Sequence, residues 1–292
     1  MQEFVSPKQV AQAIGVSESS LKRWCDQGVI PVIKTAGGHR RIQVNAVLDY
    51  LRKSGHPLSD PEVLGLPAAT TGGLYRDLKQ AREQLTETLI AGDESASIQI
   101  VLNLYLANYP LSVICDDVFA ASFQEIGNRW GCGTVAVYQE RRSCELCLRI
   151  LHEMRRVLPE LPPNAPIAVG GTLDGDPYTL ATAMVELVLR DLGWRACSLG
   201  NMLPFGTLRA AVCDTCPRLF WLSVSSIRNQ PEFVAEFEQL SAIAHEHEIA
   251  VVVGGKGLTQ EVRQQIDYCA YCDNFRHLAS FARQMMSAPI HA

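Results

Sequence analysis

From Ala165 onward, short apolar runs alternate regularly with amphipathic segments. The runs include PIAVGG, RACSLG, LFWLSVS, IAVVVGG and YCAYC, each about the length of one buried β-strand. The segments between them have the spacing of helices that bury one face. Because strands and helices that alternate in this way form parallel βαβ units, residues 165–292 are predicted to form an α/β doubly wound, Rossmann-like domain. Ligands of such sheets bind at the carboxyl ends of the strands.

The pattern between Leu74 and Leu158 is helical instead. It predicts helices near residues 74–91, 94–107, 111–131 and 134–158, separated by AGD, NYP and GCG. Because the connections are short, residues 74–160 are expected to form an antiparallel four-helix bundle. Residues 57–73, rich in Gly, Pro, Ser and Thr, are predicted to be a linker that leaves the preceding segment free to swing.

Residues 1–56 contain two short helical patterns separated by Gly15, with Ser6 and Ser17 as predicted N-caps. Two helices joined by a tight glycine turn are typical of a helix-turn-helix. The following KTAGGHRRI predicts a β-hairpin wing, so we expect an all-α winged helix-turn-helix head. Its predicted DNA contacts are Ser19, Ser20, Lys22, Arg23, Lys34, Thr35, Gly38, His39, Arg40 and Arg41.

Charge is spread unevenly along the chain. Residues 1–56 hold eight Lys and Arg against four Asp and Glu, although the whole chain has a formal net charge of −5. A cationic head on an acidic body indicates a polyanion partner, here double-stranded DNA. No apolar run approaches the roughly 20 residues that cross a bilayer, so no membrane contact is predicted. The first ten residues lack the pattern of a secretory signal, so a cytoplasmic location is expected.

Over residues 4–53 the head resembles MerR-family transcription regulators in the order and spacing of its helices and in its arginine-rich wing. Regulators of this family bind pseudo-palindromic sites as dimers, so the resemblance implies self-association as a dimer or tetramer. The long dimerising coiled coil that is usual in the family does not follow residue 53. Self-association is therefore expected from the rest of the chain.

Residues 76–292 resemble the cobalamin-binding module of methionine synthase and of light-sensing, cobalamin-dependent MerR-type repressors of carotenoid genes. In this family the bundle covers the corrin with a Trp and, ten residues later, a Glu-His pair. Trp130, Glu140 and Arg141 occupy the matching positions here. The resemblance implies that these residues face a cofactor, with an arginine where the family has the upper histidine.

The Rossmann part of the same family carries three signatures: Asp-x-His-x-x-Gly, then Ser-x-Leu or Ser-x-Thr, then Gly-Gly. The residues that match them here are, in order, Asp176, Tyr178 and Ala181, then Ser223 and Ser225, then Gly254 and Gly255. The first signature is altered at two of its three positions, and the other two are kept. The resemblance implies a cofactor-binding role for Asp176, Tyr178 and the serine and glycine pairs.

Both axial histidines of the family are thus replaced, by Arg141 and Tyr178. A phenol is mostly protonated near pH 7 and is a poor cobalt ligand, whereas a neutral imidazole is a good one. Three interpretations stay open. In the first, the module binds cobalamin without a protein ligand to the metal. In the second, it binds another flat ligand, including haem, for which tyrosinate is a known axial ligand. In the third, it is empty and serves to oligomerise or to bind a partner.

Three CxxC pairs are candidate zinc ligands: Cys144/Cys147, Cys213/Cys216 and Cys269/Cys272. The first falls within a predicted helix and the other two near strands that a third strand separates, so no metal site is predicted. The glycine-rich VGGTLDGD and VGGKG form neither a P-loop nor a dinucleotide fingerprint. No hydrolase motif is present, and enzymes with this module carry their chemistry on an additional barrel domain. We assign no catalytic residue and expect a regulator, not an enzyme.

Overall fold

The computed structural model describes residues 3–66 and 77–287 of the 292-residue chain. It divides into two compact units, Met1–Glu160 and Leu161–Ala292, each of which is described by itself. Within the described ranges, no helix is both long enough and apolar enough to span a bilayer.

The head begins unit one. Its elements are β1 (Phe4–Val5), α1 (Pro7–Ala13), α2 (Glu18–Asp26), β2 (Ile33–Lys34), β3 (Arg40–Gln43) and α3 (Val44–Ser54). The three strands form one antiparallel sheet in the order β1-β3-β2, so the head is not all-α as predicted. The wing hairpin was expected. The third strand, β1, has only two residues, and a period-two pattern needs a longer stretch to be visible.

The segment after α3 is packed against the head. Pro61–Leu64 form a 3₁₀ turn in contact with α1, and Leu64 is fully buried. The amides of Ser59 and Asp60 both donate to the carbonyl of Ala13, at 2.8 and 3.0 Å. The first ten residues of the predicted 57–73 linker are therefore ordered, and the predicted residues 67–73 lie outside the described ranges. Composition alone missed the buried Pro61, Leu64 and Leu66 that fix this segment.

The bundle completes unit one. Its elements are α4 (Leu78–Ala91), α5 (Glu94–Leu106), α6 (Leu111–Ile114), a π-helical turn (Cys115–Ala120), α7 (Ala121–Gly131) and α8 (Val137–Val157). Asp77 and Asp93 cap α4 and α5 through their carboxylates. The α6, π-turn and α7 residues follow each other without a break, so they form the predicted third helix with one widened turn. The predicted start of the first helix at 74–76 lies outside the described ranges.

The head is packed on the bundle through α3, which contacts α5 and α8. The guanidinium of Arg52 lies 4.0 Å from the ring centroid of Tyr105, which is buried in α5. Asn108 donates to the carbonyl of Arg52 at 2.8 Å, and Asn45 donates to the carbonyl of Leu158 at 3.4 Å. The structure thus differs from the expectation of a freely swinging head. A helical pattern does not show that the outer face of α3 has a partner.

Unit two is a five-stranded sheet covered by helices. Its elements are β4 (Ile167–Thr172), α9 (Leu180–Asp191), β5 (Arg195–Ser198), α10 (Phe205–Thr215), β6 (Leu219–Ser223), α11 (Gln230–Glu246), β7 (Ala250–Gly254), α12 (Gln260–Arg263), β8 (Ala270–Tyr271) and α13 (Phe275–Ser287). All the strands are parallel, in the order β5-β4-β6-β7-β8. This confirms the predicted doubly wound domain, with the order reversing between β4 and β6.

The two faces of the sheet bury different residues, because successive side chains of a strand point to opposite sides. Phe220 and Val251 belong to the main apolar cluster, which also includes Phe233 and Phe237 of α11. Trp221, the next residue in β6, lies on the opposite face, where α9 contacts β6 and α13 packs on α9. The functional positions predicted for this domain are at the carboxyl edge of the same sheet.

Candidate functional site

The second head helix presents a polar face. Ser17 caps α2, its hydroxyl accepting from the amide of Ser20 at 3.1 Å, while Leu21 and Cys25 bury the other side. Of the predicted DNA contacts on α2, Ser19, Lys22 and Arg23 are exposed and Ser20 is half-buried. Lys22 pairs with Glu18 one turn earlier, at 2.8 Å. The helix therefore has the exposed polar surface that a major-groove helix needs.

The wing is the hairpin of β2 and β3, joined by residues 35–39. Thr35 closes the turn: its hydroxyl accepts from the amide of His39 at 3.2 Å, and its own amide donates to the carbonyl of His39. Gly38 has φ of +77°, which requires glycine or a strained residue. Lys34, Thr35, Gly38, His39 and Arg41 are all exposed, as a backbone-contacting wing requires.

Arg40 differs from its neighbours. Its guanidinium lies 2.5 Å from the Asp26 carboxylate at the end of α2, and its side chain is about half as exposed as that of Asp26. Alternation along β3 turns Arg40 to the same side as the buried Ile42, whereas Arg41 faces away. Arg40 therefore joins the wing to α2, and Asp26 is a partner that the sequence analysis did not identify.

The three bundle residues matched to the cofactor family lie around the α7–α8 connection. Trp130 is at the end of α7 with 52% of its surface exposed, an unusual state for a residue of this size. Glu140 is in the first turn of α8 and lies 3.4 Å from the guanidinium of Arg141. The Arg141 side chain is 74% exposed.

The first Rossmann signature forms a clamp between loops. Asp176 is fully buried, and its carboxylate accepts from the amides of Ser225 at 2.5 Å and Tyr178 at 3.2 Å. Its carbonyl accepts from the Thr172 hydroxyl at 2.9 Å. The structure thus brings Asp176, Tyr178 and Ser225 together, but the aspartate holds the loop after β4 to the loop after β6. The Tyr178 side chain is 58% exposed.

The second and third signatures lie at the ends of β6 and β7, where Ser223 is buried and paired in register with Gly254. A Cβ on Gly254 would lie 2.6 Å from the carbonyl oxygen of Cys272, and one on Gly255 would lie 2.2 Å from that of Val224. Close backbone packing alone therefore requires both glycines.

A cavity of about 190 Å³ lies between the sheet, α9 and α13. Its walls include Ala181, Val185, Trp221, Ser223, Gly254 and Leu278. Ser223, Ala181 and the glycine pair, which belong to the three signatures, thus line one crevice. Trp221 was missed, because the apolar run LFWLS indicated only that the indole is buried and not which side of the sheet it faces.

These residues do not fit a corrinoid held by a bond from protein to cobalt. The residues that the resemblance matches to the axial histidines are Arg141 and Tyr178, and neither a guanidinium nor a phenol is a neutral nitrogen ligand of the imidazole type. The buried carboxylate of Asp176 is already occupied by two amides. The crevice is smaller than the roughly 300–1,000 Å³ of ordinary small-molecule sites.

A larger cleft of about 440 Å³ lies elsewhere in unit two, near the first turns of α10 and α11. Its rim carries the Arg209–Glu236 ion pair, at 2.6 Å. None of the residues predicted for a cofactor lines it. It is therefore separate from the crevice that contains the sequence signatures.

The paired cysteines were the remaining candidate ligands. Burial, together with the Glu140 carboxylate, raises the pKa of the Cys144 thiol to about 12, and burial raises the pKa of Cys147 further. Burial and then Asp273 raise the pKa of Cys272 to about 11. In the described ranges no three His, Cys, Asp or Glu side chains are arranged to hold a metal ion. Protonated thiols are poor ligands and weak nucleophiles.

Two parts of the chain match known domain families. Residues 4–55 match the helix-turn-helix domain, which is the predicted head. Residues 81–153 match the B12 binding domain, which is the predicted bundle. The chain is also 26% identical to the HTH-type transcriptional repressor CarH of Myxococcus xanthus over 244 residues, which cover 76% of this chain and 79% of the repressor. The predicted resemblance to repressors that join these two domains is confirmed.

Two further matches say less about the function of the chain. The monomethylamine corrinoid protein of Methanosarcina barkeri superposes with a TM-score of 0.54 at 13% identity, covering 72% of this chain and all of that one, which supports the fold alone. Cytochrome P450 52A1 of Candida tropicalis is 32% identical over 103 residues, but these are 33% of this chain and 18% of that enzyme. The helix-turn-helix match and the similarity to a named repressor support a transcriptional regulator.

Replacing Asp176 by Asn tests the clamp. The change replaces one of the two carboxylate oxygens that accept from the Ser225 and Tyr178 amides, so we expect the free energy of unfolding to fall by about 1–3 kcal/mol. Urea denaturation followed by circular dichroism measures the loss. Asp174→Asn, an exposed neighbour, is the control and should change stability by less than about 0.5 kcal/mol. Equal stability of the two variants would show that Asp176 is not structural.

Thiol alkylation tests the raised pKa values. Because the pKa of Cys144 is raised, its thiol stays protonated as pH increases until about pH 12, so iodoacetamide at pH 7.5 should label it far more slowly than an exposed cysteine. Cys213 and Cys216 are the exposed references in the same digest. Peptide mass spectrometry gives both rates. Labelling of Cys144 as fast as that of Cys213 would contradict the assignment.

Proposed function

We propose that the chain is a DNA-binding transcriptional regulator that contacts duplex DNA with α2 and the wing. The observation that carries the proposal is that both elements expose basic side chains, Lys22 and Arg23 on α2 and Arg41 on the wing, beside His39 at the wing turn. Residues 1–56 carry four more basic than acidic side chains, and phosphate contacts of this kind supply most of the affinity for DNA. Similarity to a named repressor supports the same function.

Within this surface we assign Arg40 a positioning role instead of a phosphate contact. Its pair with Asp26 ties the wing strand to the end of α2, so that the two DNA-contacting elements keep one spacing. Ser19, Ser20, Lys34 and Thr35 stay proposed contacts. Gly38 provides the turn that brings the wing tip close to the backbone.

Self-association is the second part of the proposal. A single head has a small footprint and few charges, and helix-turn-helix proteins gain affinity by binding paired half-sites as dimers. The bundle and the Rossmann-like unit are the parts of the chain available for this contact. A dimer or a tetramer is therefore proposed, acting on DNA in the cytoplasm.

For the second unit we favour a function that does not require cobalamin. The donor set at Arg141 and Tyr178 and the small crevice both argue against a ligated corrinoid. Cobalamin without a protein ligand, and haem bound through Tyr178, are the alternatives, and an absorption spectrum after incubation with each distinguishes them. Any ligand would act by binding one assembly state better than another.

Arg41→Ala should weaken binding to duplex DNA at low salt and reduce the slope of log K against log salt by about 1, because one phosphate contact is lost. Lys256→Ala, which removes the same charge from an exposed position in unit two, should change neither. Fluorescence anisotropy with a labelled random duplex at several salt concentrations gives both quantities. Unchanged affinity and slope for Arg41→Ala would contradict the proposed interface.

Asp26→Asn separates the two roles of Arg40 in the same assay. If Arg40 positions the wing, this variant binds DNA more weakly even though it removes a negative charge beside the DNA surface. If Arg40 is an independent phosphate contact, freeing it from Asp26 strengthens binding. Stronger binding by Asp26→Asn would therefore overturn the positioning role and leave the rest of the interface in place.

Sedimentation velocity tests self-association. The full chain should sediment as a dimer or tetramer at micromolar concentration, and the complex with duplex DNA should contain at least two chains. A monomer in both conditions would contradict the proposed assembly. It would leave the contacts of a single head with DNA unaffected.

A further inference from the structure

The indole of Trp221 occupies the face of the sheet that borders α9. It is 2% exposed, and its register partner on the neighbouring strand β4 is Gly170. A Cβ on Gly170 would lie 2.3 Å from the indole atom Cδ2 and 2.1 Å from the Trp221 carbonyl oxygen. Only glycine at position 170 therefore leaves room for the ring. The two residues fit together as one packing unit.

Polar contacts hold the ring in place. The indole Nε1 donates to the hydroxyl of Thr182 on α9 at 2.9 Å. That hydroxyl lies 3.1 Å from the hydroxyl of Ser198 at the end of β5. Because the ring nitrogen has its partner, burying the indole leaves no unpaired donor. The ring is thus anchored between β4, α9 and the sheet edge.

The ring also borders the crevice at the carboxyl edge of the sheet. Ser223 and Gly254 mark the ends of β6 and β7 there, and Trp221 forms the inner wall. Open α/β sheets bind their ligands at this edge. The remaining space of about 190 Å³ suits a group the size of a small aromatic ring, since apolar cavities of about 150 Å³ take up benzene.

We propose that Trp221 is a built-in occupant of this crevice, so that unit two folds and acts without a corrinoid. Cobalamin presents a wide flat macrocycle and a nucleotide arm, and an indole fixed at the inner wall removes space that such a ligand would need. The proposal develops the ligand side of the proposed function. It concerns unit two alone, so its failure would leave DNA binding by the head intact.

The first experiment uses the unmodified full chain. Purified protein is incubated with adenosylcobalamin in the dark, passed through a desalting column, and its visible spectrum is recorded. We expect no corrinoid absorbance to stay with the protein, and no rise in its melting temperature. Retention of about one corrinoid per chain would overturn the proposal.

The second experiment removes the Trp221 indole from the wall of the crevice. Trp221→Ala should lower the melting temperature by at least about 10 °C, as expected when a large buried side chain is removed. Free indole at millimolar concentration should raise the melting temperature of this variant part of the way back, because indole can enter the crevice from the carboxyl edge of the sheet. Trp194→Ala is the matched control: Trp194 is equally buried in unit two but does not line the crevice.

Restoration by indole of Trp221→Ala but not of Trp194→Ala supports a built-in occupant. Equal restoration of both variants, or of neither, shows that Trp221 is ordinary core and overturns the proposal. If Trp221→Ala does not fold, Trp221→Leu is measured in the same way. The corrinoid experiment needs no variant, and retention of a corrinoid there overturns the proposal whatever the variants show.

Discussion

The Trp221 indole lies against the backbone of Gly170 in the adjacent strand, and much of unit two is arranged around that contact. It sets the identity of residue 170, orients α9 through Thr182, and defines the inner wall of the crevice. At the same edge, the buried Asp176 carboxylate joins the loops after β4 and β6. The residues of the sequence signatures here make contacts within the protein itself: Asp176 accepts from two loop amides, and Gly254 packs on the carbonyl of Cys272. A module can therefore keep a fold while its chemistry changes.

Unit one has the opposite arrangement, with its functional surface left open. The α3 helix packs on the bundle through Arg52, while α2 and the wing stay exposed. The ion pair between Arg40 and Asp26 fixes the position of the wing relative to α2. Because the pair lies at the surface, it adds little to the free energy of folding. The proposed DNA-contacting surface is thus ordered in the absence of DNA.

Much of this could be predicted from the sequence. Helical and strand periodicities predicted the four bundle helices and all five parallel strands, because long amphipathic segments carry a strong pattern. Local patterns did not show which buried face Trp221 occupies, that Gly254 is required by the carbonyl of Cys272, or that Arg40 has a carboxylate partner fourteen residues away. These facts depend on contacts between elements, which periodicity does not encode.

For the assembly proposed above, the docking of α3 on α5 and α8 would have a consequence for the spacing of the half-sites. If a head were tethered by a slack chain, an assembly would accept half-sites at many separations. A head packed on a helical bundle is instead held at a fixed angle and distance from that bundle. The affinity of an assembly for paired half-sites would therefore depend on the rotational phase between them along the double helix. Adding five base pairs between half-sites would turn one of them to the far side of the duplex, whereas adding a full turn would not.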